Sequence, residues 1–385
     1  MTSLSLYVFQ CMRKQYILLI LMVLLISCNN GTSLSGTDDI VIDTIAIEIG
    51  DSGLTNYNSP AIGIYEDHGS DYMVCYNYFT HELDLYNLDS ARYLRTLKLS
   101  LSGPNAIRTC AFIACHQDRI FTESATDFAV FNHDGTVLGK LLTPNWFESE
   151  GVKYRLATNM YISNYDTGFA IDSVHQRVIF PIYPLMKKSS AEYFKGHLLA
   201  YCTFDSLKPK ALKATYPEYL QKLDRFEEMD RPQILVKGDS VIFSFASHPD
   251  IYIYSLKNGN QTTKKIVSKK YPPITPSNNG KYSSQDLLGY FDKVGNYLPV
   301  KHDPFNQVFY RIYIPPKSES TTDPLENRRL LVLNENFKVI KEIPIPKGLE
   351  TYYFPIRSGL LFQFETYIKD DHTLSLAVMN IKDLL

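Results

Sequence analysis

Leu374-Ser375-Leu376-Ala377-Val378-Met379-Asn380-Ile381-Lys382 is a strand running into an Asn turn, and the sequence stops at Leu385 before any second strand. The missing partner has a counterpart at the other end. Ile40-Val41-Ile42-Asp43-Thr44-Ile45-Ala46-Ile47-Glu48-Ile49 alternates apolar and polar residues, as a half-exposed outer strand does, and no strand pattern precedes it. The two segments are predicted to pair.

Between them the same unit returns five times: an apolar strand, a turn rich in Asn or Asp, and a second strand. Residues 83–89 lead into 93–99, 128–135 into 136–141, 198–205 into 210–215, 251–259 into 262–267 and 330–336 into 338–343. With 374–382 as a sixth unit and 40–49 as its missing strand, the expected fold is an all-β, six-bladed β-propeller over residues 40–385. An N-terminal strand closes the last blade and removes its free edge. Spacing is uneven, from 45 residues between Asn87 and Asn132 to 79 between Ser255 and Asn334; a blade hidden in an insertion gives seven. The 28 Tyr and 21 Phe against one Trp favour strands. Of the 385 residues, 45% are hydrophobic, enough for a large core. Insertions are expected at 144–160, 205–233 and 270–300. Residues 217–229 open with Pro217 and place Tyr219, Leu220, Leu223 and Phe226 on one face, which predicts a short amphipathic helix. Residues 271–280 read as an exposed loop.

Residues 13–28 read as a leader: Arg13 and Lys14, an apolar run of signal-peptide size rather than membrane-span size, then Leu25-Ile26-Ser27-Cys28. That last stretch resembles the bacterial lipobox. Residues 1–27 are thus expected to be a signal peptide, with Met12 an alternative start, and Cys28 the lipidated first residue of the mature chain. Residues 28–39 are small and polar, a flexible tether. No acidic run follows Cys28, which favours a periplasm-facing, outer-membrane lipoprotein of the cell envelope.

Net charge is −2 with acids and bases scattered, so neither a nucleic-acid stripe nor an acidic tail is present. The six cysteines have no zinc spacing. Cys75, Cys110, Cys115 and Cys202 are expected to be buried thiols. Cys110 and Cys115, an odd number apart, are expected on opposite faces of one strand.

His302-Asp303-Pro304-Phe305-Asn306-Gln307-Val308-Phe309-Tyr310-Arg311-Ile312-Tyr313, with Ser284-Gln285-Asp286 and Tyr290 upstream, resembles a Bacteroidota lipoprotein family, domain of unknown function 4221. The resemblance implies a lipidated, TolB-like six-bladed propeller and assigns no activity.

No nucleophile elbow, P-loop, dinucleotide fingerprint, H-E-x-x-H or EF-hand loop is present. Candidate ligand contacts are Arg311, whose charge inside a strand needs a partner, the pair His302 and Asp303 before a strong strand, and the pair His248 and Asp250 between two strands. For both pairs turn chemistry is the favoured reading over ligand contact. The recurrent Asn87, Asn132, Asn334, Asn380, Asp89 and Asp134 are expected to be turn residues. The expected function is a non-enzymatic envelope module binding a protein, peptide or glycan, with no cofactor and no nucleic-acid partner. The alternative is a metal-assisted hydrolase or lyase at the channel mouth, with calcium as the metal to test.

Overall fold

The structure is a computed structural model. It describes residues 40–49, 57–143, 145–157, 168–187, 190, 192–221, 230–266, 273, 295–316, 327–364 and 373–381. The leader, Cys28, the tether and most of the 270–300 insertion lie outside the described residues.

The described chain is all-β and propeller-like. Helix is confined to α1 (Glu218–Gln221) and a 3-10 turn at Tyr193–Lys195. Strands β1 (Ile42–Glu48), β2 (Tyr57–Asp67), β3 (Ser70–Asn77), β4 (Glu82–Asn87) and β5 (Arg92–Lys98) come first. A four-stranded meander follows: β6 (Phe112–His116), β7 (Arg119–Glu123), β8 (Asp127–Asn132) and β9 (Val137–Leu142). The next group is β10 (Trp146–Ser149), β11 (Val152–Leu156), β12 (Ala170–Asp172), β13 (Arg177–Pro184), β14 (His197–Thr203) and β15 (Ser206–Thr215). Then come β16 (Gln233–Lys237), β17 (Ser240–Phe245), β18 (His248–Ser255) and β19 (Gln261–Lys264). After them lie β20 (Asn296–Tyr297), β21 (Lys301–Asp303), β22 (Val308–Ile314), β23 (Arg329–Leu333) and β24 (Val339–Pro344). The chain closes with β25 (Leu349–Ile356), β26 (Gly359–Phe364) and β27 (Thr373–Met379).

These ladders make five sheets rather than six separate ones. The largest, β2-β3-β4-β5-β1-β27-β26-β25, has eight strands and is joined at its middle by one parallel bridge, Glu48 to Arg92. On its other edge β1 pairs antiparallel with β27 over its whole length, from Ile42↔Met379 to Glu48↔Thr373. First and last strands therefore meet, as their sequences predict. Ile42 and Ile47 are buried while Asp43, Thr44, Ala46 and Glu48 are exposed, the signature of an outer strand.

Apolar side chains are buried between sheets. One core joins β2–β5 to β6–β9, and the next joins β6–β9 to β11–β14. A third spans β12 through β23, a fourth β22–β27, and a fifth brings β1 and β25–β27 back onto β2–β4. The first strands also touch in succession: β2 with β6, β6 with β12, β12 with β16, β16 with β21, β21 with β25, and β25 with β2. Gly359 shows how close the last meander packs. A Cβ there would lie 2.3 Å from the carbonyl oxygen of Met379.

Within the 144–160 insertion β10 and β11 form a hairpin that extends the edge of β13, because Gly151 at φ +77 and Glu150 at φ +51 make a tight turn. Two local expectations are corrected. The 205–233 insertion is shorter, since β15 starts at Ser206, and the described helix is four residues; 222–229 lie outside the described residues. Cys110 and Cys115 pack against the same core rather than opposite faces, because β6 starts only at Phe112. All four body cysteines are free, and burial raises the thiol pKa of each, Cys202 to about 12.

Candidate functional site

Of the recurrent residues, Asn87, Asn132, Asn334 and Asp134 hold turns, whereas Asp89 accepts from the distant Asp71 N and the Asn380 N–H bonds Val41 O. Asn87 accepts from Ser90 N, Asn132 from Thr136 N and Asn334 from Asn336 N and Lys338 N, at 2.8 to 3.0 Å. Asp303 belongs to the same kind of chemistry. Fully buried, its carboxylate accepts from Phe305 N, Asn306 N, Asn306 Nδ2 and Tyr310 Oη, at 2.8 to 3.1 Å. Asp172 repeats the arrangement, accepting from His175 N at 3.1 Å. The two turns end alike: Gln176 and Gln307 both have φ +53 and donate through Nε2 to Ser173 O and Pro304 O. A carboxylate with all its lone pairs directed into a turn is spent on that turn. His302 beside it lies over Phe309, ring centroids 5.0 Å apart, and its Nε2 is buried without a partner. Burial, with Lys237 nearby, lowers its pKa.

Arg311 is fully buried, and its bonds among the described residues go to main-chain carbonyls. Its Nε donates to Leu298 O at 3.1 Å, Nη1 to Pro249 O at 2.6 Å and Nη2 to Phe245 O at 2.9 Å. The guanidinium also lies over the Tyr297 ring. It therefore stitches β22 to the β17–β18 connection as a clamp on main-chain carbonyls. His248 and Asp250 flank this clamp. His248 stacks on Tyr219 of α1 at 4.4 Å, and its Nδ1 accepts from Asp250 N at 3.2 Å. Asp250 accepts from Ile266 N, and Tyr219 Oη lies 3.3 Å from Ser247 Oγ. The structure thus gathers His248, Asp250 and Arg311, and leaves His302 and Asp303 at the turn end of β22. Among the described residues no three His, Cys, Asp or Glu side chains are placed to hold a metal.

An open pocket of about 230 Å³ lies between the β11–β13 region and the two described ends of the segment that runs from β15 into β16. Ala157, Ile182 and Tyr183 form one wall. Tyr193 enters from the 3-10 turn, Tyr216 from the end of β15, and Asp230, Arg231 and Pro232 from the entry to β16. Tyr193 Oη donates to Asp230 Oδ2 at 3.4 Å, and the Tyr193 and Tyr216 rings lie 5.9 Å apart. Burial and the Asp230 carboxylate push both phenols far above the usual tyrosine range, so both stay protonated donors. The volume is below the roughly 300–1,000 Å³ of drug-sized sites, which suits a single ring or one side chain of a longer ligand.

Sequence reading did not find this pocket, whose lining comes from five separated places. The available signal was Pro217 starting a helix, next to Tyr216 in the 205–233 insertion.

Among solved structures, a Bacteroides vulgatus member of the DUF4221 family superposes with TM-score 0.66 at 16% identity, over 89% of this chain and 97% of that one. A Bacteroides fragilis protein named as a candidate exported protein superposes with TM-score 0.52 at 12% identity, over 90% and 97%. At such identities the likeness concerns the fold. No protein of curated description matches the chain. The family model DUF4221, a domain of unknown function, matches residues 35–344, and the chain belongs to that family.

Proposed function

We propose that the mature chain is a lipid-anchored, six-bladed propeller of the cell envelope that binds a ligand without turning it over. The blade count is supported by the closed succession of first-strand contacts, β2 to β25 and back. Treating the eight-stranded sheet as two blades that share one bridge then gives six. Anchoring is supported by the leader and by Leu25-Ile26-Ser27-Cys28; export is named for one structural relative.

The observation that carries the binding role is the pocket itself. Two protonated phenols, a carboxylate and a guanidinium converge there on apolar walls, from elements far apart in sequence. Hydroxyls, a carboxylate, a guanidinium and aromatic faces together suit a saccharide ring or a polar peptide side chain. The experiment is calorimetric titration of the mature chain and of Tyr183→Ala with peptidoglycan disaccharide-peptides and short peptides. Tyr183 forms a half-buried wall, so its truncation opens the pocket without emptying the core. Binding by the parent chain that is lost in the variant, with melting unchanged, supports the role; equal heats for both chains overturn it.

A further inference from the structure

Trp146 is the chain's one tryptophan, and it stands 51% exposed on the edge strand β10. The ladders place it directly across from Arg155 on β11, and Arg155 across from Tyr183 on β13. Residues opposed in antiparallel ladders point to the same face, so the three side chains form one row across the sheet. The row ends at the pocket, where Tyr183 packs with Tyr193 and Tyr216. Phe147, the neighbour of Trp146, packs into the core of the opposite face. Lys153 lies over one side of the Trp146 ring, its Nζ 4.2 Å from the centroid. Glu148 stands across from Lys153, whereas an aromatic side chain stands on each side of Arg155. Half-buried, Arg155 has an Nε with no hydrogen-bond partner among the described residues. A guanidinium in that setting is short of an acceptor.

We propose that this row is a second subsite continuing the pocket, and that its ligand is a saccharide chain bearing a carboxylate. The assignment rests on the binding role proposed for the pocket and adds the ligand class to it. One ring sits in the pocket beside Tyr183, the carboxylate meets the Arg155 guanidinium, and the next ring lies against the Trp146 indole. Adjacent strands stand about 4.8 Å apart, so Tyr183 and Trp146 are about 10 Å apart at the backbone, the reach of a disaccharide. Indole and phenol faces take the apolar face of a sugar ring, and a planar guanidinium takes a carboxylate through parallel N–H bonds. An extended peptide turns successive side chains to opposite sides and would engage such a row with alternate residues only, whereas every unit of a saccharide has a ring face to lay on it.

The test titrates the mature chain with N-acetylglucosaminyl-N-acetylmuramic acid and with digalacturonic acid, carboxylate-bearing disaccharides from different polymers, and with neutral chitobiose. Heat and tryptophan fluorescence are read together. Because Trp146 is the chain's one tryptophan, emission reports this subsite directly. At least one acidic disaccharide shifts the emission with the Kd that the heat gives, and binds at least about tenfold more tightly than chitobiose; which of the two does so identifies the source. Arg155→Gln removes that preference and leaves chitobiose binding as it was, while Trp146→Ala weakens acidic and neutral sugars alike, with melting unchanged in both variants. Binding that Tyr183→Ala abolishes, but that moves neither the emission nor the Arg155→Gln affinity, overturns the row and spares the pocket. Equal affinity for acidic and neutral sugars, or no binding of any of them, overturns the ligand class, and the peptide titrations then decide the pocket on their own.

Discussion

Replacing Arg311 by Met separates a clamp from a ligand contact. The methionine fills much of the same volume but donates nothing, so Leu298 O, Pro249 O and Phe245 O lose their bonds together. A bond to a charged group is worth about 1.5–3 kcal/mol when one partner is removed. Three such bonds set a gross loss of about 4–9 kcal/mol, and no longer burying a guanidinium returns part of it. We expect a net loss of about 4 kcal/mol. With an unfolding entropy near 2.1 cal/mol/K per residue, a chain of this length loses about 5 °C in Tm. Arg311→Lys, which keeps the charge but not the planar fork, should fall between. The assay is thermal and urea unfolding of the mature chain followed by circular dichroism. An Arg311→Met protein that melts within about 1 °C of the parent refutes the clamp.

Asp303→Ala strips four donors of one acceptor and leaves Tyr310 Oη buried, so about 2–4 kcal/mol should be lost in urea unfolding; a neutral result means the turn does not need the carboxylate. Deleting residues 40–49 removes the whole β1–β27 ladder and should cause aggregation or loss of cooperative unfolding, whereas deleting 29–37 should leave melting unchanged; equal behaviour of the two deletions counts against closure by β1. Cys28→Ser should abolish labelling by a palmitate analogue and release the protein from membranes, and continued labelling shows another site of acylation. His116, His133, His248 and His302 are all held below the ordinary histidine pKa, chiefly by burial. The unfolded chain therefore takes up protons first as pH falls, so their stabilisation is complete above about pH 6.5 and is lost as pH drops through the lower folded values. Tm should decline from about pH 7 to about pH 5, more shallowly in His248→Phe, and an identical slope in both proteins contradicts the assignment.

Where sequence and structure agree, the cause is local. The alternation of 40–49 and the strand at 374–382 are visible because each outer position shows its polarity in the chain itself. Asn87, Asn132 and Asn334 are legible for a similar reason, since an Asx turn needs only a side-chain oxygen and the next few N–H groups. The turn role of Asp303 was legible as well, from Asp303-Pro304 before a strong strand, and the matching turn Asp172-Ser173-Val174-His175-Gln176 shows the same chemistry once both are folded. Arg311 was hidden because its partners are carbonyls of residues 13, 62 and 66 positions away, and carbonyls leave no mark in a sequence. The pocket was hidden because Ala157, Tyr183, Tyr193, Tyr216 and Asp230 share no spacing in the chain and meet only when the β10–β15 sheet packs beside the β16–β19 sheet.

On the proposed function, the Tyr193–Tyr216–Asp230 pocket holds a ligand in the envelope. Native mass spectrometry of the chain, released intact from the membranes of cells that make it, tests this directly. The parent protein should carry a non-covalent saccharide or peptide mass that Tyr183→Ala, isolated the same way and equally folded, lacks. Identical masses for the two proteins, with or without a bound species, contradict the pocket's role.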